Sequence, residues 1–121
     1  MVAFNFQERF ADDIIAGRKL STIRSTMRCK IGDKLQLYTG QRTKRCKKLL
    51  LPHDPECIGL AKIIIGGTKQ WEIIGHIGKY RPSPYPLHVQ EGFQNLNDFI
   101  DFFNKQHGLP YSGYLHAWEL R

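Results

Sequence analysis

Helical periodicity occurs at two places in these 121 residues, one near each end, and strand-like segments fill the stretch between them. Phe6, Phe10 and Ile14 recur every four residues, which predicts a short helix over 8–16 with Gly17 as its left-handed cap. Phe99, Phe102 and Phe103 form the apolar stripe of a second helix, capped by Asn95 or Asn97. That helix runs to about residue 107, where Gly108 ends it and Pro110 prevents continuation. Strands are expected over 3–6, 20–25, 34–38, 57–65, 70–77 and 114–120. Five or six strands with a helix at either end of the sequence predict an α+β fold built on a small β-barrel. One domain, residues 1–121, accommodates all of it.

Two segments interrupt this pattern. Residues 41–56 begin with five cations in eight residues and continue into Pro52 and Pro55, which predicts a long loop or hairpin tip without regular pairing. Residues 78–90 carry Pro82, Pro84 and Pro86 at alternate positions, the spacing of an irregular surface connector.

Charge is distributed unevenly between the halves of the chain. The net charge is +7, but residues 1–48 alone hold 12 Lys/Arg against 4 Asp/Glu, whereas residues 49–121 hold 6 against 7. Such segregation fits a polyanionic partner, because neutralising phosphates releases counterions. Arg42, Lys44, Arg45, Lys47 and Lys48 form the densest group; the alternative is a solvated loop, as charge runs commonly are. Tyr80 and Arg81, in the proline-rich connector, suit stacking and phosphate contact on an exposed loop. No apolar run reaches the roughly 20 residues of a membrane helix, and the first residues lack the layout of a signal peptide. A cytoplasmic protein without a membrane association is therefore expected. Three cysteines fit free thiols in a reducing compartment; with no Cys-x-x-Cys pair, no metal site and no cofactor are expected.

The chemistry is concentrated where the first helix gives way to a strand, Gly17-Arg18-Lys19-Leu20-Ser21-Thr22-Ile23-Arg24. A junction this rich in cations and hydroxyls can hold a phosphate or a polar base edge, can set a nucleophile beside a lysine, or can be a solvated turn. Thr22 and Arg24 fall on one face of a strand, so Lys19 reaches the same side only from the preceding turn.

Three blocks together resemble the ASCH domain, a PUA-like β-barrel family associated with RNA, over nearly the whole chain. They are residues 10–19 followed by Ser21-Thr22-Ile23-Arg24, the turn Ile31-Gly32-Asp33-Lys34-Leu35, and Gln90-Glu91-Gly92-Phe93 leading into the phenylalanine-rich helix. The resemblance implies a PUA-like barrel of five to six strands with two flanking helices. It extends to small bacterial members that remove the acetyl group of N4-acetylcytidine with a lysine, a threonine three residues later and a distant glutamate. Lys19, Thr22 and Glu91 occupy the matching positions, with Arg24 at a neighbouring basic one, and Arg18 and Ser21 flank them as substrate contacts.

In this reading Thr22 is the nucleophile and Lys19 its base, made less basic by burial and by Arg18 and Arg24. Glu91 orients the lysine, protonates the leaving amine or bonds an exocyclic nitrogen. The basic stretch 41–56 departs from the small amidohydrolases as an insertion and argues for an RNA or DNA ligand over a free nucleoside. The alternatives are a non-catalytic RNA-binding module and a ribonuclease using the same cleft.

Overall fold

A computed structural model describes residues 2–50, 53–67, 70–78 and 87–119. The chain is α+β, with seven strands in two sheets among the described residues. Strand β1 (Val2–Phe6) pairs in parallel with β3 (Leu35–Thr39), which pairs antiparallel with the two-residue β4 (Lys47–Lys48). The larger sheet is antiparallel, in the order β2 (Ser21–Arg24), β7 (Tyr111–Glu119), β5 (Glu56–Ile65), β6 (Trp71–Gly78). Among the described residues no closed barrel is found: the smaller sheet keeps β1 as one edge and the larger keeps β2. The sheets meet at one corner, where Lys34 and Glu56 form an isolated bridge.

Seven strands exceed the five or six expected, because β4 forms inside the stretch predicted to lack pairing. The prolines do not prevent it, since pairing with Tyr38 and Thr39 is complete before Pro52 is reached. The first helix also differs. It opens as a 3-10 turn, Glu8–Phe10, and only Ala11–Ile15 (α1) is α-helical. A four-residue helix, α2 (Leu87–Gln90), closes the proline-rich connector; it is too short to show a helical period. Helix α3 (Leu96–His107) begins at Asn95, whose side chain accepts the Asp98 N–H at 2.8 Å, and ends at Gly108.

Phenylalanines join these parts. Phe10 of the 3-10 turn packs edge-to-face on Phe93, and Phe93 on Phe99 of α3, at 5.4 and 5.5 Å between ring centres. Phe6 meets Trp118 of β7 at 6.1 Å. Full burial of such a ring stabilises the fold by about 1.5–3 kcal/mol, so this cluster fixes the turn before β2 against α3. Trp118 is buried in the core, and Trp71, partly buried, packs against that core.

Candidate functional site

Lys19 is turned inward by the way α1 ends. Gly17 adopts φ +78°, and the amides of Arg18 and Lys19 both donate to the carbonyl of Asp13, at 2.9 and 3.0 Å. The tight reversal sends the two neighbouring cations in opposite directions. Arg18 goes to the surface, where Nε donates to the Asp13 carboxylate at 2.8 Å. Lys19 goes into the core and is 3% exposed. Its Nζ donates to the carbonyls of Ser21 and Glu91, both at 2.9 Å, and lies 3.5 Å from Glu91 Oε1. The Phe6 and Phe10 ring centres stand 5.6 and 5.1 Å from it.

Glu91 reaches this point from far along the chain. Helix α2 ends in a turn in which Glu91, Gly92 and Phe93 donate backbone bonds to Leu87, Val89 and His88. Gly92 is required there: it has φ +91°, and a Cβ would stand 2.6 Å from Phe10 Cδ1. The turn presses Glu91 into the core at 2% exposure, where Oε2 accepts the Ser21 hydroxyl proton. One carboxylate oxygen is thus held by Ser21, while the other faces the amine.

Thr22 and Arg24 share a face of β2, as strand geometry requires, and Arg24 Nε donates to Thr22 Oγ1 at 3.1 Å. With one lone pair occupied, the threonine keeps its own proton to give elsewhere. Arg24 Nη2 donates to the Asn5 carbonyl at 2.9 Å, and its guanidinium lies over Phe4 and Phe6. Burial first and the Arg28 charge second lower the Arg24 pKa to about 10, so it remains a cation at neutral pH.

Lys19, Thr22, Arg24 and Glu91 line one cavity of about 380 Å³. Phe6, Phe10, Ile23, Phe93, Phe102 and Phe103 supply apolar wall; Asn5, Gln7, Ser25, Gln106, His107 and Tyr111 complete it. Burial in these surroundings pushes the Lys19 pKa below its ordinary 10.5, opposed by the Glu91 carboxylate and assisted by Arg24. Arg18, expected to share in that effect, is engaged with Asp13 at the surface instead. A buried amine whose pKa is lowered, lining the same cavity as a hydroxyl held by a guanidinium, suits general-base chemistry on that hydroxyl.

The remaining predicted residues fall elsewhere. Ser21 is buried and holds Glu91, and Arg18 is exposed; neither lines the cavity. Arg42, Lys44, Arg45 and Lys47 are exposed on the segment leading into β4, while Lys48 binds Asp54 at 3.1 Å. That segment is tethered next to the cavity, because the Gln41 amide donates at 2.9 Å to Oδ1 of the lining residue Asn5. Tyr80 and Arg81 lie outside the described residues. Sequence reasoning missed Asn5, Ser25, Gln106, His107 and Tyr111. Asn5 alone carried a signal, as the polar member between the inward Phe4 and Phe6 of β1. The chain matches no protein-family model, no curated protein and no solved structure.

Proposed function

We propose that this protein hydrolyses the amide of an acylated nucleobase amine, N4-acetylcytidine or a related base, within an ASCH-type, PUA-like barrel whose two halves are the two sheets. The observation that carries the reading is the meeting of Lys19 and Thr22 with Glu91, distant from both in sequence, around one cavity with the amine buried. Neutral Lys19 takes the Thr22 hydroxyl proton as Oγ1 attacks the acyl carbon. The Arg24 cation beside Thr22 stabilises the oxyanion that forms. Lys19 then returns the proton to the departing exocyclic amine, and water cleaves the acyl-threonine to release the carboxylic acid. Glu91, held by Ser21, keeps the amine in register throughout.

The test is cytidine release from N4-acetylcytidine. Lys19→Ala, Thr22→Ala and Glu91→Gln each abolish turnover, and so does Lys19→Arg, because a guanidinium stays charged. Turnover surviving Thr22→Ala overturns the nucleophile.

A second reading, binding of a nucleic-acid strand by the same cleft, is favoured by one observation. Arg42, Lys44, Arg45 and Lys47 are exposed on a turn bonded to a cavity residue. Binding of single-stranded RNA should weaken steeply with salt. Neutralising these four and Lys48 should flatten the slope of log affinity against log salt by about 0.7 for each phosphate left without its cation. An unchanged slope removes the turn from the account, and cleavage of the strand would mark a ribonuclease.

A further inference from the structure

The end of the cavity formed by α3 and β7 is built differently from the end that holds Lys19. Ring contacts elsewhere among the described residues are edge-on or tilted, with interplanar angles from 58° to 85°. At the α3–β7 end three rings lie nearly parallel. His107 is 4.3 Å and 24° from Tyr111, Tyr111 is 5.1 Å and 29° from Phe103, and Phe103 is 6.3 Å and 25° from His107. Phe103 and Tyr111 are buried, but His107 is exposed and lines the cavity. The 6.3 Å between Phe103 and His107 is too short for rings on opposite faces of Tyr111, so these two side chains of α3 sit side by side on one face of it, a pile whose exposed member is the imidazole. Gln106, also a lining residue, brings to the same cavity an amide that can both donate to and accept from the edge of a flat ligand.

Nothing in the amide chemistry needs this pile. The cavity of about 380 Å³ equals roughly a dozen water volumes at ~30 Å³ each, room for an acylated pyrimidine and part of a second ring. We propose that His107, backed by Tyr111, is a stacking subsite for a second nucleobase, with Gln106 bonding its edge. The substrate is then at least a dinucleotide, not a free nucleoside. This rests on the reading that the Lys19 end receives a base. Stacking tolerates any base because each has a π face, so the subsite recognises a neighbour without demanding its sequence.

Equilibrium binding tests the subsite without amide cleavage. The probes are cytidine and the two dinucleotides cytidylyl-adenosine and adenylyl-cytidine, titrated against the wild type, His107→Ala and His107→Phe. One dinucleotide should bind about five- to 150-fold more tightly than cytidine, the range of one stacked base. His107→Ala should erase that advantage and leave cytidine affinity unchanged, whereas His107→Phe, which keeps a ring, should retain it. Equal affinity for all three probes, or an advantage that survives His107→Ala, overturns the subsite. Hydrolysis of N4-acetylcytidine with no dinucleotide advantage would leave the amidohydrolase reading standing and remove this one. A dinucleotide advantage in a protein that hydrolyses nothing would do the reverse.

Discussion

Lys19 and Ser21 illustrate how two residues of one short block take different duties. Lys19 supplies the amine; Ser21, whose Oγ donates to Glu91 Oε2, decides where the carboxylate beside that amine sits. Ser21→Ala leaves a buried carboxylate oxygen without its donor, which costs about 1–3 kcal/mol. It should lower turnover and move the pH profile, because a carboxylate freed from Ser21 interacts more strongly with Lys19. Ser21→Thr, which keeps the hydroxyl, should restore both. Wild-type kcat/KM should rise with pH and level off below the ordinary lysine value of 10.5, since burial has already weakened Lys19 as a proton holder. A profile that rises only near 10.5 would mean that the amine is not the base. The sequence placed Ser21 among ligand contacts because its partner lies 70 residues away. Lys19 and Thr22 were readable together through the resemblance, and strand geometry added that the lysine must precede the strand.

At the scale of elements, the segment between β2 and β3 and the turn after α2 hold the site in shape. The first depends on a histidine to which no role was assigned from sequence. His116 of β7 is fully buried opposite Thr22, and its Nε2 accepts the Arg28 amide at 3.0 Å. Accepting there requires the neutral ring, and burial lowers its pKa from 6.5 to about 4. The unfolded chain therefore binds a proton between those values that the folded chain refuses. Stability is greatest above pH 6.5 and falls as the pH drops towards 4, by about 3 kcal/mol at ~1.4 kcal/mol per pH unit. Urea unfolding at pH 7, 5.5 and 4 should record that loss, and His116→Gln should shrink it. The second support is Gly92. Gly92→Ala puts a Cβ against Phe10 at a backbone angle that L residues resist, and should lower both the melting temperature and turnover. Helix α3 was legible because its apolar stripe repeats, whereas the first pattern was legible only in part, since Phe6 belongs to β1 and the helix opens as a 3-10 turn. The helix α2 and the strand β4 were not legible, because four and two residues carry no period.

Across the whole molecule, the α+β class followed from the order of periodic segments, but the way the sheets close against each other did not. On the edge of β1 away from β3, side chains take the place of a backbone ladder. Arg28 Nη2 donates to the carbonyl of Ala3 and Arg24 Nη2 to that of Asn5, both at 2.9 Å, while the two guanidinium groups lie over Phe4. Alternate carbonyls of one strand point the same way, so two arginines near each other in sequence can serve a single edge. A periodicity argument registers them only as charge. Part of the positive excess of the first half of the chain is thus structural, and part, on residues 42–47, stays open to solvent. These two groups should respond differently to substitution. Arg28→Ala removes a charged bond and the stacking of its guanidinium on Phe4, should cost about 1–2 kcal/mol given its partial exposure, and should hasten hydrogen exchange at β1 amides. Arg42→Ala should leave stability and exchange unchanged and act on strand affinity alone. If Arg28→Ala left β1 as protected as before, the seam would owe its closure to the phenylalanines beneath it.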